Sequence, residues 1–296
     1  MKDQKWLTTS AGVKMPWIIY GTAWKKERTA DLVVKAVQAG FRGIDTAGQP
    51  KHYDEAGIGE ALLRLKKDYG IEREELYLQT KFTPLPGHDP EQVPYDKNAT
   101  VEVQVLQSFE TSMKKLQTEY VDTLLLHTMI EPYPLLMKVW EAMESIQQSG
   151  RARQIGISNF YYIYMVKKLY ADANIKPAVL QNRFYKDTGY DPELRSWCSD
   201  NGVIYQGFWT LTANRYILFD NIVQTLARKH KKTDAQIFFR YLNQSGIVPL
   251  TGTTSEQHMA QDLNVFDFKL SPADLKNVSS LLSVKDIIIP QAGIVL

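Results

Sequence analysis

Apolar residues along the chain recur in two rhythms that alternate from end to end. Short runs rich in β-branched residues stand at 18–23 (IIYGTA), 43–47 (GIDTA), 77–82 (YLQTKF), 121–127 (VDTLLLH), 153–159 (RQIGISN), 179–184 (VLQNRF), 203–208 (VIYQGF) and 247–253 (IVPLTGT). Several are almost continuously apolar, as parallel strands covered on both faces are. The segments between them carry apolar stripes at helical spacing. Leu32, Val33, Ala36 and Val37 form one, opened by Thr29 as N-cap and closed by Gly40. Val105, Phe109, Met113 and Leu116 form a second, and Leu136, Val139, Trp140 and Met143 a third that stops at Gly150. Strand then helix, eight times over, predicts an α/β fold: a (β/α)8 TIM barrel occupying residues 1–296 as a single domain.

A doubly wound sheet is the competing architecture, and it needs a Gly-rich turn between its first strand and helix. The nearest match, GIGEAL, has Gly57 and Gly59 but Leu62 where the third glycine belongs, and it lies inside a helical segment. The chain also has no G-x-x-x-x-G-K-[ST], H-E-x-x-H, C-x-x-C or G-x-S-x-G pattern, so no metal site is expected.

Composition narrows the class further. The chain is 44% hydrophobic and 23% charged, ordinary for a globular domain, and a net charge of +2 gives no general pull toward nucleic acid or an anionic membrane. The densest basic run, RKHKK (228–232), reads as the end of one helix ahead of a Thr233–Asp234 cap. A single cysteine, Cys198, excludes an internal disulfide and suits a reducing compartment. With no secretory pattern in MKDQKWLTTS and no apolar run of about 18 residues, a cytoplasmic location is expected, with no membrane and no nucleic acid as partner.

In such a barrel, chemistry gathers at the C-terminal ends of the strands. Those ends carry Asp45, Lys81, His127, Ser158, Asn159 and Gln181, and Tyr53 follows the second strand. Each has a plain structural alternative: Asp45 as a helix cap, Lys81 as a barrel-end lysine with its head in solvent, His127 as a hydrogen-bonded core residue. Four titratable groups on neighbouring strand ends suit proton transfer better. A phenol with an ordinary pKa near 10 becomes a useful acid when an ammonium lowers it, a carboxylate holds that ammonium, and an imidazole orients the substrate oxygen. Such a cluster protonates an oxygen on which charge develops as hydride reaches a carbonyl carbon, and the hydride must come from a cofactor.

The blocks GFRGIDTA…HYDEAGIGEAL, YLQTKF, YVDTLLLH, GRARQIGISNF, VLQNRF and TDAQIFFRYLNQSGIVPLTGTT, in this order from Trp6 to about Leu270, resemble those of the aldo-keto reductase superfamily. The resemblance implies a catalytic tetrad of Asp45, Tyr53, Lys81 and His127, with Tyr53 as general acid, and NAD(P)H lying extended across the barrel mouth. It implies that Ser158, Asn159 and Gln181 hold the nicotinamide carboxamide, next to Asp45, and that Phe208 stacks on the ring, followed by Trp209, Thr210 and Leu211. Thr22 and Trp24 would border nicotinamide and substrate. Gly252, Thr253, Thr254, Ser255 and His258 would face the 2′-phosphate, with Gln261 and Asp262 at the adenine. Trp24, Phe82, His127 and Trp209 would line an apolar substrate site. The opening WLTTSAGVKMPWI resembles the family's N-terminal β-hairpin, which plugs the barrel bottom.

Three departures qualify the resemblance. The insertion Gln49-Pro50-Lys51 lengthens the path from Asp45 to Tyr53, so the loop must bulge, and His52 is the rival for the acid. Phe208-Trp209-Thr210-Leu211 replaces Tyr-Ser-Pro-Leu. Gly252 and His258 stand where the family has a lysine and an arginine, which removes two formal cations. NADPH is the expected cofactor, with NADH as the alternative and a small-molecule carbonyl compound as substrate for a monomer or weak dimer. Two further readings are a cofactor-binding, redox-sensing regulatory subunit and a barrel lyase or isomerase with a phosphorylated substrate. The long irregular segment 84–98 is expected to overhang one face of the barrel, and the apolar tail 285–296 to enclose substrate or meet a partner.

Overall fold

The alternating pattern closes on itself in the computed structural model, which describes residues 5–282. Eight parallel strands form the barrel: β3 (Ile19–Gly21), β4 (Gly43–Asp45), β5 (Tyr77–Phe82), β6 (Val121–Leu126), β7 (Ala152–Ser158), β8 (Val179–Arg183), β9 (Ile204–Phe208) and β10 (Ile247–Thr251). The ring closes where Leu250 and Thr251 pair with Ile19 and Tyr20. Every residue of β5, β6 and β10 is buried, because one face of each strand fills the barrel and the other meets helices.

The two faces differ in chemistry. Outward residues such as Leu78, Leu124, Leu126, Ile155, Ile157 and Leu180 belong to the large apolar layer under the helices. Inward residues are largely polar and bond across the barrel: Tyr77 Oη meets Gln79 at 2.8 Å and Thr123 at 2.6 Å, Gln154 donates to Thr123 at 2.8 Å, and Gln79 donates to Gln206 at 2.9 Å and to Asp45 at 2.7 Å. Buried amides paired in this way carry their own desolvation cost and fix each inward position.

The hairpin β1 (Trp6–Thr8) and β2 (Lys14–Pro16) pairs antiparallel and crosses the barrel floor. Val13 and Met15 pack with Ile19, Tyr77, Leu125, Val179 and Val248, and Thr9 Oγ1 donates to Gln154 at 2.5 Å. The outer layer consists of α1 (Thr29–Ala39), α2 (Glu55–Tyr69), α3 (Val101–Leu116), α4 (Tyr133–Gln148), α5 (Ile163–Asp172), α6 (Pro192–Asp200), α7 (Arg215–Leu218), α8 (Asn221–His230), α9 (Asp234–Gln244), α10 (Glu256–Leu263) and α11 (Pro272–Ser280). RKHKK ends α8, and Thr233 caps α9 in a capping box with Gln236, as its sequence predicts. Thr29 differs from expectation: a short 3-10 turn, Lys26–Arg28, leads into α1, so Thr29 is its first helical residue and its hydroxyl donates back to Lys26 O at 2.7 Å. Gly59 of the false nucleotide fingerprint is a packing residue of α2, where an added Cβ would lie 2.2 Å from Lys115 O. No helix of the described residues is long and apolar enough to cross a membrane. The tail at 285–296, expected over the substrate or at a partner, lies outside the described residues.

Candidate active site

Strand ends β4 to β6 bring the four expected groups together. Asp45 closes β4 and Lys81 points inward from β5, and Lys81 Nζ donates to Asp45 Oδ1 at 2.6 Å and to Thr46 O at 2.8 Å, both side chains nearly inaccessible. Gln79 and Gln181 donate to the same Asp45 oxygen at 2.7 and 3.1 Å, so the carboxylate is held from three sides. His127 follows β6, and its Nδ1 lies 2.7 Å from Thr83 Oγ1. Thr83 is fully buried, and its hydroxyl has no other acceptor among the described residues; it therefore donates to Nδ1 and leaves Nε2–H as the ring's free donor.

The insertion before Tyr53 is absorbed by one tight turn. His52 N and Tyr53 N both donate to Gln49 O at 3.0 Å, and Gln49 Nε2 ties the turn to Gly87 O at 2.6 Å. Tyr53 is thereby delivered over the pair: its ring centre lies 5.2 Å from Lys81 Nζ and 6.2 Å from the His127 ring, edge to face. Asp54, next along, caps α2 by accepting from Gly57 N at 3.0 Å, which leaves Asp45 free of that duty. His52, the rival acid, turns its ring to Trp24 at 4.0 Å and its Nδ1 to Gln49 at 2.8 Å.

Burial governs the charges. It pushes the Tyr53 phenol above its ordinary pKa, and the Asp45 carboxylate adds to the push. This differs from the sequence expectation, in which Lys81 lowers that pKa: the ammonium is turned into Asp45 and Thr46 O, and burial itself draws Lys81 downward against the opposing pull of Asp45. Burial, then the charge on Lys81, holds His127 well below 6.5, so its imidazole is neutral at physiological pH.

These groups meet one cavity of about 730 Å3, within the range of small-molecule and cofactor sites. It runs from Asp45, Tyr53 and His127 past Ser158, Asn159, Gln181, Phe208, Trp209, Thr210 and Leu211, then between Gly21, Ala23, Trp24 and Lys25 on one side and Leu250–Thr253 on the other to His258, Gln261 and Asp262. Trp24, Asn159 and Trp209 on its rim hold left-handed backbone (φ 63°, 59° and 59°), a conformation that costs a non-glycine residue on the order of 1–3 kcal/mol and collects at functional sites. Trp24 and Trp209 stand exposed there.

Some expected residues lie elsewhere. Phe82 does not reach the cavity. With Lys81 inward, the strand's period of two turns Phe82 outward into the helix-side core against Tyr95, 5.8 Å between ring centres. Thr22 is buried beneath the rim, its hydroxyl on Asp45 O at 2.8 Å; Thr254 and Ser255 lie outside the lining, and Ser255 caps α10 by accepting from His258 N at 3.3 Å. Segment 84–98 lies back against the rim and contributes nothing to the lining, its His88 and Tyr95 both bonding Thr83 O at 2.9 and 3.0 Å. Two lining cations were not foreseen. Lys25, almost buried, donates to Gly252 O, and Arg183 projects from the end of β8. No sequence pattern singles out either residue.

A parallel barrel with a tyrosine, lysine, aspartate and histidine at its C-terminal mouth defines a barrel oxidoreductase. The profile described as the Aldo/keto reductase family matches residues 15–214. A glyoxal reductase of Bacillus subtilis (strain 168) is 30% identical over 276 residues, covering 91% of this chain and 90% of that protein. The NAD(P)H-dependent D-xylose reductase I,II of Candida tropicalis is 27% identical over 311 residues, covering 92% and 90%. The crystal structure of MGS-M4, an aldo-keto reductase enzyme from a Medee basin deep-sea metagenome library, superposes with a TM-score of 0.82 at 27% identity, covering 98% of this chain and 99% of that one. The chain belongs to the aldo/keto reductase family.

Proposed function

We propose that this chain reduces the carbonyl group of aldehydes or ketones to the alcohol with NADPH, Tyr53 giving the proton to the carbonyl oxygen. The observation that carries this reading is the convergence of a protonated phenol, a buried ammonium–carboxylate pair and a neutral imidazole at one end of an elongated cavity. NADPH, when bound, supplies the hydride.

The residues present fit that cofactor. Side-chain amide and hydroxyl groups of Ser158, Asn159 and Gln181 suit a carboxamide, and the face of Phe208 suits an aromatic ring. Farther along, the cavity reaches Gly252 and Thr253 beside the start of α10, where backbone N–H groups favour an anion. An added Cβ at Gly252 would lie in ordinary contact with Lys25 Nζ, at 3.5 Å, and Lys25 Nζ donates to Gly252 O. Lys25 thus brings a cation beside residue 252, where the family pattern has a lysine, and we assign it to the 2′-phosphate. A reducing cytoplasmic location suits the buried, unpaired thiol of Cys198.

In the reaction, His127 Nε2–H donates to the carbonyl oxygen and fixes its direction. Tyr53, kept protonated by its raised pKa, passes its proton only when the oxygen has become an alkoxide, a stronger base than phenolate. Lys81, its ammonium turned into Asp45 and Thr46 O, holds the floor beneath the Tyr53 ring rather than acidifying the phenol, and Gln79 and Gln181 keep Asp45 in register. Tyr53→Phe is expected to leave NADPH affinity, read by quenching of tryptophan fluorescence, within a few-fold of wild type. Turnover should fall by about 10²–10⁴-fold. A variant that keeps most of its rate shifts the acid role to His52, which lines the same cavity.

A further inference from the structure

Arg183 has no role in the tetrad or in the groove toward α10, yet it is built into the cavity wall. Gln181 and Arg183 share the inward face of β8, two residues apart, so Arg183 stands about 6.6 Å farther along the strand toward the mouth. In the ring order, β8 lies four strands from β4, which places Arg183 on the wall opposite Asp45. Its guanidinium carbon lies 4.2 Å from the Trp209 ring centre, 5.2 Å from Tyr185 and 5.8 Å from Phe208. Aromatic faces orient a guanidinium but satisfy none of its in-plane N–H groups. Nε is buried with no hydrogen-bond partner, and among the described residues Arg183 joins no ion pair. Nε itself is covered by protein, so the terminal N–H groups, which join no ion pair among the described residues, are the ones left to meet a ligand in the cavity that Arg183 lines.

We propose that Arg183 is an anion-recognition residue for the substrate, so that the preferred carbonyl compounds carry a carboxylate at the end remote from the reacting carbonyl. This rests on the reductase reading above and narrows its substrate class. A planar carboxylate matches the edge of the guanidinium in a two-point contact, with the aromatic middle of the molecule against Trp209 and the carbonyl across the mouth at Tyr53 and His127.

The test pairs 4-carboxybenzaldehyde with its methyl ester, similar in size and differing in charge, on the full chain and on Arg183→Met and Arg183→Lys, alongside the dissociation constant for NADPH. Wild type is expected to favour the acid by about 10–100-fold in kcat/KM, chiefly through KM, the range set by hydrogen bonds to charged groups. Arg183→Met should lose that preference while ester reduction and NADPH affinity stay within about two-fold, and Arg183→Lys should recover part of it. No preference in wild type, equal losses on acid and ester, or weakened NADPH binding would each overturn the assignment, the last pointing to the cofactor's own phosphates. If neither aldehyde is reduced, the reductase reading falls instead. Calorimetric binding of 4-methoxybenzoate to the NADPH-loaded protein then tests Arg183 by itself: loss of binding in Arg183→Met supports the site, and equal binding overturns it.

Discussion

Removing one member of the Lys81–Asp45 pair is predicted to unfold more of the protein's margin than removing both. At 2.6 Å, the gross attraction is about 6 kcal/mol at an effective dielectric of about 20, set against the desolvation of two nearly inaccessible charges. Lys81→Met fills the same channel with an apolar chain but leaves the Asp45 carboxylate with only the Gln79 and Gln181 amides as partners. Its loss should be about 3–5 kcal/mol, the range for a buried pair broken on one side. Asp45→Asn leaves the ammonium with only neutral acceptors, the Asn amide oxygen and Thr46 O at 2.8 Å, and should lose a comparable amount. The double variant buries no charge here, and its loss should be no more than about 2 kcal/mol. Urea unfolding at pH 7, followed by tryptophan fluorescence, gives the three values. Additive losses, or single variants within about 1 kcal/mol of wild type, would refute the view that this pair is an expensive buried unit. The double variant should regain stability without regaining turnover, which separates what the pair does for catalysis from what it does for folding.

Three further outcomes are expected. For carbonyl reduction, kcat/KM should be level across pH 6.5–10: His127 must be neutral and its pKa is lowered, Tyr53 must be protonated and its pKa is raised, so both limbs lie outside that window; a bell inside it contradicts the assignments. Lys25→Met should weaken NADPH binding by about 10–100-fold and leave NADH within about three-fold, as measured by fluorescence quenching; equal losses would move Lys25 to a part shared by both cofactors. Asp191, buried with Asn182 and Tyr205 donating to it at 2.8 Å, has its pKa raised by burial from 3.8 to about 6. A raised carboxyl is most favourable below the unfolded pKa and loses that advantage as pH rises through the folded one. Asp191→Asn should therefore gain on wild type by up to about 3 kcal/mol between pH 4 and pH 7.5 in urea titrations, and a difference that does not move with pH counts against it.

The strand order was legible because each strand announces itself locally; what local pattern cannot carry is where the chain leaves the sheet. The runs at 43–47 and 247–253 overshoot β4 and β10, since Thr46, Ala47 and Thr253 are still β-branched or apolar although the chain there already bends away from the sheet. Tyr53 could be kept as the candidate acid because the helix after it stays in frame, and the turn on Gln49 O shows how the extra residues are stored. Phe82 faces away from the cavity because its neighbour Lys81 fixes the strand's period of two. Lys25 and Arg183 were missed for a different reason. Lys25 meets Gly252 only because the ring closes between β3 and β10, the contact with the greatest sequence separation in the barrel, and Arg183 becomes conspicuous only once its missing partners can be counted.

The hairpin across the floor also has a kinetic consequence. With Met15 inside the barrel, in contact with Gln206, and Thr9 latched to Gln154, the strands' lower ends are stoppered and traffic uses the upper mouth. On the proposed reaction, two molecules that meet at Tyr53 share that mouth among the described residues, and the one seated deeper is expected to enter first and depart last. A ligand lying along Ser158, Gln181 and Phe208 takes the deeper berth, beneath anything resting on Trp24 and Trp209. The expected queueing order thus traces to the three-residue strands at the bottom of the barrel, far from Tyr53.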